Sequence, residues 1–256
     1  MPTRDSAPLG APCWVDVFTS DVEGAKEFYG GLFGWTAQEA DPRFGGYFNF
    51  LEDGQPVAGC MVNGGTDPNA VDMWSVYLAV ADAEATQAAA VEHGAQVYVP
   101  AMAVDTLGTM LVVGDPTGAA IGAWQPGEHP GFVELGEPDV PCWFEILTRD
   151  YQAALGFYRD VFGWDIHPMA DTPEFRYSTF GEGTGALAGI MDAAGFLPEG
   201  VPSYWSIYFG TADTDRSCAT AVDLGGTVVE PPQDSPYGRM ATVADRTGTR
   251  FKLVST

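Results

Sequence analysis

The chain repeats itself. Pro12-Cys13-Trp14 returns as Pro141-Cys142-Trp143, and Phe28-Tyr29-Gly30-Gly31-Leu32-Phe33-Gly34-Trp35 returns as Phe157-Tyr158-Arg159-Asp160-Val161-Phe162-Gly163-Trp164, both 129 positions later. Ala58-Gly59-Cys60-Met61 returns as Ala188-Gly189-Ile190-Met191, Trp74-Ser75-Val76-Tyr77 as Trp205-Ser206-Ile207-Tyr208, and Asp115-Pro116-Thr117-Gly118 as Asp245-Arg246-Thr247-Gly248. The spacing drifts by only one or two residues along the chain. A period this long is a duplicated globular domain rather than a solenoid repeat. The 256 residues divide into a tail (1–11), a first domain (12–125), a linker rich in Pro, Gly and Glu (126–140) and a second domain (141–256).

Each copy spells the same order of elements. Trp14-Val15-Asp16-Val17-Phe18 alternates as a half-buried strand does. Asp21 stands at the N-cap of a helix carrying Val22, Ala25, Phe28, Tyr29, Leu32 and Phe33 at helical spacing, and Gly34 closes it. Strands are predicted over 35–39, 47–51 and 57–62. The pattern then restarts with a strand over 74–80, a helix over 83–92 closed by Gly94, and strands over 96–99, 110–113 and 119–124. Each domain is therefore βαβββ twice, an α+β fold.

Charge narrows the partners. Asp plus Glu number 35 against 11 Lys plus Arg, a net charge of −24. Such a surface repels phosphate backbones and anionic lipid, so nucleic acid and membrane are not expected as partners. No apolar run reaches the ~18–20 residues that span a bilayer, and residues 1–12 carry no stretch of signal-peptide type. The expectation is a cytoplasmic protein whose field favours cationic small molecules. Cys13, Cys60, Cys142 and Cys218 show no close ligand spacing and read as reduced, packed thiols.

The FYxxxFGW element after a strand–Asp–helix opening, with DPTG-type closing turns and four βαβββ modules, resembles the vicinal oxygen chelate superfamily. That group takes in glyoxalases, bleomycin-resistance proteins and extradiol dioxygenases; the likeness is greatest to its tandem two-domain glyoxalase-like members from actinobacteria. It spans Pro12 to Leu253. It implies that each pair of modules curls eight strands into an open cup around a ligand or a metal held by His and Glu. The ligand positions so implied fall at Trp14 and Trp143, near Gly59 and Gly189, at Ser75 and Ser206, and at Gly122 and Lys252. None of these is a usual ligand type. His93, His129 and His167 fall at a helix end, in the linker and after a turn, and read as surface residues. No metal or other cofactor is expected.

Strand parity selects the side chains that face each cup. In the first domain these are Trp14, Asp16 and Phe18, then Ser75 and Tyr77, then Ala120, Gly122 and Trp124. They describe an aromatic hollow with one carboxylate, which suits a flat organic ligand and, through Asp16, an amine. The plain alternative is that these aromatics fill the barrel. In the second domain the set is Trp143, Glu145 and Leu147, Ser206 and Tyr208, and Arg250, Lys252 and Val254. Glu145 and Lys252 form either an ion pair plugging the cup or, with Tyr208, a catalytic acid/base group. Arg250 and Lys252 can alternatively grip an oxyanion.

Three functions follow. The first is metal-free binding of a hydrophobic aromatic small molecule, with or without a cationic amine, for sequestration, resistance or antibiotic and other natural-product biosynthesis. The second is a metal-independent isomerase, cyclase or lyase using Glu145, Lys252 and Tyr208. The third is a metal-dependent glyoxalase or dioxygenase. The binding reading draws on Trp14, Asp16, Phe18, Ser75, Tyr77, Gly122 and Trp124, with Trp143, Ser206 and Arg250 as the second-domain counterparts. The first cup is favoured because Gly122 and Ala120 replace Lys252 and Arg250 and leave volume between Trp14, Tyr77 and Trp124. The duplication pairs two domains within one chain, giving a monomer, unless the chain pairs again as a homodimer.

Overall fold

The computed structural model describes residues 6–65, 70–172 and 174–255. The first domain runs β1 (Pro12–Thr19), α1 (Val22–Phe33), β2 (Thr36–Ala37), β3 (Phe48–Glu52), β4 (Gln55–Val62), β5 (Met73–Ala79), α2 (Ala83–Glu92), β6 (Gln96–Val104), β7 (Gly108–Gly114) and β8 (Ala120–Pro126). The second repeats it as β9 (Pro141–Thr148), α3 (Tyr151–Phe162), β10 (Ile166–Asp171), β11 (Arg176–Phe180), β12 (Ala188–Asp192), β13 (Tyr204–Thr211), α4 (Thr214–Asp223), β14 (Thr227–Ser235), β15 (Gly238–Ala244) and β16 (Arg250–Ser255). Among the described residues no helix is long and apolar enough to cross a membrane.

Each domain is one eight-stranded mixed sheet, ordered β2-β3-β4-β1-β5-β8-β7-β6 and β10-β11-β12-β9-β13-β16-β15-β14. The opening strands of the two modules, β1 and β5, lie antiparallel at the centre, and each runs parallel to the last strand of its own module, β4 or β8. The site is therefore built where four central strands meet. Helix ends obey their local chemistry. Asp21 Oδ1 accepts the Gly24 amide at 2.9 Å, and Gly34 closes α1 at φ +79°, a left-handed geometry that glycine takes without strain. Strand β6 runs longer than its sequence pattern predicts, through Pro100, and β14 runs through Pro231 and Pro232. Both are edge strands with register shifts near the prolines, where a missing N–H leaves no ladder bond unmade.

The repeated motifs join the two domains. Tyr29 of the first FY pair donates to Asp245 of the second DxTG turn at 2.9 Å. Tyr158 donates to Asp115 of the first turn at the same distance. Each tyrosine oxygen also accepts an indole N–H, from Trp74 at 3.1 Å and from Trp205 at 2.9 Å. Trp35 and Trp164 of the FGW elements donate across to the carbonyls of Asp139 and Gly10. A pseudo-twofold interface results, with α1 against α4 and α2 against α3. The aromatic cluster around Phe28, Tyr29, Phe33 and Trp35 reaches Phe209 and Phe251 of the other domain.

The segment between the domains is packed rather than slack. It turns back over β1, where the Phe132 amide donates to the Cys13 carbonyl at 2.8 Å and the Phe132 ring is buried against Phe144. Apolar Phe132 and Val140 anchor a stretch whose overall composition reads as a linker.

Candidate functional site

A cavity of about 490 Å³ opens in the first cup. Trp14 and Asp16 of β1, Tyr77 of β5 and Trp124 of β8 line it, as strand parity requires. Asp16 is only 6 % exposed. Its Oδ1 accepts the Trp14 indole N–H at 2.9 Å and the Tyr47 hydroxyl at 2.7 Å, with the Tyr77 hydroxyl as a third donor. Burial pushes the Asp16 carboxyl above its ordinary range, and the three donors hold it down only in part. The buried hydroxyls of Tyr47 and Tyr77, beside that carboxylate, are driven well above the usual phenol range and stay protonated.

Tyr47 opens the strand predicted over 47–51 but stands one residue before β3, bridged to Asp41 across a turn. Its counterpart is Tyr177, and β3 and β11 carry the pair alike to the base of each cup. Gly59 makes room for it: a Cβ there would lie 1.9 Å from the Tyr47 oxygen and 2.0 Å from Asp16 Oδ1. His129 is also part of the wall, not a surface residue of the linker as expected. The returning segment sets its ring edge-on to Trp14, centroids 4.4 Å apart, and burial lowers its pKa to about 4. Met61, Met102 and Met110 supply deformable apolar wall. At the mouth Arg43 is held by Asp41 at 2.8 Å and reaches Asp105 on the opposite lip at 3.8 Å.

Four residues predicted for this hollow, Ser75, Phe18, Ala120 and Gly122, do not line the cavity. Ser75 lies opposite Asp16 in the β1–β5 register, and Phe18 pairs with Met73 towards the strand end. Gly122 is covered: a Cβ there would sit 2.2 Å from the Tyr77 ring. The volume released by its missing side chain is taken by that ring, so the expectation of open space at Gly122 is corrected.

The second cup repeats the cluster and closes it. Glu145, 3 % exposed, accepts Tyr208 on Oε1 at 2.6 Å and Tyr177 on Oε2 at 3.0 Å. Trp143 donates to the Tyr177 oxygen at 3.0 Å. Lys252 Nζ lies 2.8 Å from the Tyr208 hydroxyl and 3.4 Å from Glu145 Oε1. Glu145, Lys252 and Tyr208 thus converge, and Ser206 is buried opposite Glu145. Arg250 starts β16 exposed, opposite Ala244, and does not join them. The space left is about 180 Å³ near Lys252 and Glu230. Among the described residues Cys60, Cys142 and Cys218 form no disulfide, and burial pushes the Cys60 and Cys142 thiols up to about 12.

The model of the Glyoxalase/Bleomycin resistance protein/Dioxygenase superfamily matches residues 13–122 and again 142–253. The chain belongs to this superfamily. Among its relatives is CFP32 of Mycobacterium tuberculosis, whose name proposes a glyoxylase, 34% identical over 99% of this chain and 98% of that protein. The anthracycline biosynthesis protein DauV of a Streptomyces species, strain C5, is also 34% identical, over 96% of this chain and 93% of its own length. Among solved structures, the Mn(II)-bound glyoxalase of Novosphingobium aromaticivorans shares the fold with a TM-score of 0.67 at 15% identity, covering 96% of this chain and 82% of that one.

Metal-binding members of the superfamily set a test for this chain's cups. Divalent sites take three or four protein ligands from imidazole, carboxylate and thiolate. The first cup offers one buried carboxylate and the single imidazole of His129, among protonated phenols, an indole N–H and two glycines, Gly59 and Gly122. The second offers one carboxylate already facing an ammonium. Among the described residues no three His, Cys, Asp or Glu side chains converge. These donor sets do not fit a divalent metal.

Proposed function

We propose that the first cup binds a flat, hydrophobic aromatic molecule that presents a hydrogen-bond donor, a protonated amine above all, to Asp16, and that it does so without a resident metal. The observation that carries this reading is Asp16 itself. It is a buried carboxylate facing a cavity, with no cation paired to it among the described residues. A charge so placed is costly unless a partner arrives. The cavity lies within the ~300–1,000 Å³ usual for small-molecule sites. Trp14 and Trp124 supply faces for stacking and for cation–π contact. The net charge of −24 draws cations towards the cup.

In this reading the Glu145–Lys252–Tyr208 cluster is a plug, its hydrogen-bonding capacity spent internally, and one cup per chain is functional. The interface between the domains supplies the pairing, so the chain acts as a monomer. A role in handling an aromatic natural product, by biosynthesis, sequestration or resistance in the cytoplasm, accords with relatives named for anthracycline biosynthesis.

Titration with aminoacridine, a flat cation, followed by tryptophan fluorescence tests the reading. Saturable quenching at micromolar concentration is expected, with acridone, its neutral analogue, at least tenfold weaker. An Asp16→Asn variant should lose that preference. Equal affinity for cation and neutral analogue, or an undiminished preference in the variant, would overturn it.

A further inference from the structure

We propose that Asn49 makes the first cup selective for flat aromatics that carry a ring carbonyl as well as an amine, an aryl ketone or a quinone rather than a bare hydrocarbon. This rests on the binding reading of the same cup and names the second group by which the ligand is recognised.

Strand register carries Asn49 into the wall. Asn49 of β3 lies opposite Gly59 of β4, and Gly59 lies beside Asp16 of β1. Residues in one row across neighbouring strands share a face of the sheet. A Cβ at Gly59 would meet Asp16 Oδ1, so the shared face is the cup, and Asn49 lines the cavity accordingly. Two strand spacings, about 10 Å, separate its backbone from that of Asp16. A ligand lying along this row meets a carboxylate at one end and a carboxamide at the other, with Trp14, Met61 and Trp124 as the apolar wall.

The two polar groups differ in what already holds them. Asp16 accepts the Trp14 indole and the Tyr47 hydroxyl. Among the described residues the Asn49 carboxamide has no hydrogen-bond partner. Its two N–H donors and its oxygen are left to whatever enters the cavity. A carbonyl on the ring edge takes a hydrogen from Nδ2, and a hydroxyl beside that carbonyl would donate to Oδ1. A hydrocarbon edge instead seals the carboxamide from solvent unpaired, which is costly. Sites of this kind discriminate strongly against the analogue that lacks the bonding group.

The second cup shows the same position closed. Thr179 stands 130 positions after Asn49 and opposite Gly189, as Asn49 stands opposite Gly59. It is buried, and its hydroxyl donates to the Gly181 carbonyl at 2.7 Å. The plugged cup satisfies its polar group here from within, and the open cup does not.

Aminomethyl-anthraquinone and aminomethyl-anthracene test the proposal. They share a three-ring skeleton and a protonated amine, and differ in the ring carbonyls. Calorimetric titration of the full chain should show the quinone binding about tenfold tighter than the hydrocarbon. Asn49→Leu, of similar volume, should erase that preference by weakening the quinone alone. Asn49→Asp replaces the N–H donors with acceptors at the same size and should erase it too, so it decides the matter if the leucine variant fails to fold. A merely structural role would weaken both ligands alike. Equal binding of the two ligands by the wild-type chain would overturn the proposal and leave the binding reading standing. A preference undiminished in the variants, or a parallel loss of both ligands, would also overturn it. Failure of either ligand to bind the wild-type chain at all would overturn both readings.

Discussion

Lys252 stands in the second cup where Gly122 stands in the first, each paired in register with the tyrosine of the neighbouring strand, Tyr208 or Tyr77. This difference between copies of a duplicated domain accompanies a cavity of about 490 Å³ in the first cup and about 180 Å³ in the second. The plug is an ion pair with side chains 19 % and 4 % exposed. Removing only the cation strands a buried carboxylate. Lys252→Ala should therefore destabilise the protein by about 2 kcal/mol, because Tyr177 and Tyr208 still donate to Glu145. Adding Glu145→Gln should recover most of that loss. Denaturant unfolding of the two single variants and the double variant reads the coupling directly.

Asp16 carries the opposite cost. Its pKa is raised in the folded state, so folding holds its proton more tightly than the unfolded chain does. Stability is then undiminished below the unfolded pKa, falls as pH rises from there through the folded pKa, and stays reduced at neutral pH. Asp16→Asn should raise Tm at pH 7, by about 2–4 °C for each kcal/mol gained, and the gain should vanish in strong acid. Thermal unfolding across pH checks this; a variant less stable at pH 7 would contradict it.

The motifs that identify the superfamily act here at the interface between domains rather than in the cup. Tyr158→Phe leaves one oxygen of buried Asp115 without its donor and the Trp205 indole without its acceptor. A loss of about 1–3 kcal/mol is expected. Tyr29→Phe should cost a similar amount through Asp245 and Trp74. Neither should change aminoacridine affinity, which separates the interface from the site.

His129 should remain neutral at physiological pH. Its burial against Trp14 lowers its pKa to about 4. The sign is that of a base buried neutral: the stability it contributes is present above the unfolded value of 6.5 and is lost as pH falls from there through about 4. Proton NMR should show one imidazole titrating near that value and shifting on ligand addition. His167 should titrate above its ordinary value because Asp165 accepts its ring N–H.

Much of this was legible in the residues, and the exceptions have physical reasons. The duplication, the Asp and Gly helix caps and the alternation of β1 are local patterns, and they bring Trp14, Asp16, Tyr77 and Trp124 to one hollow. Tyr47 has no such pattern. It reaches Asp16 only because β3 and β4 fold beside β1, although its repeat, Tyr177, falls 130 positions later, the spacing that also separates Gly59 from Gly189. His129 is buried by a chain crossing that composition does not encode. At Gly122 a missing side chain does not mean empty space, because close packing draws the Tyr77 ring over it.

Calorimetric titration of aminoacridine into wild-type protein and a Gly122→Lys variant gives the most direct test. The variant brings the second cup's ammonium to the first, and the Tyr77 ring, 2.2 Å from a Cβ at this position, must turn aside to the place Tyr208 takes beside Lys252. One site per wild-type chain is expected, weakened more than tenfold, about 1.4 kcal/mol, in the variant. Two equal sites per chain, or unchanged affinity in Gly122→Lys, would contradict a single open cup built around Asp16.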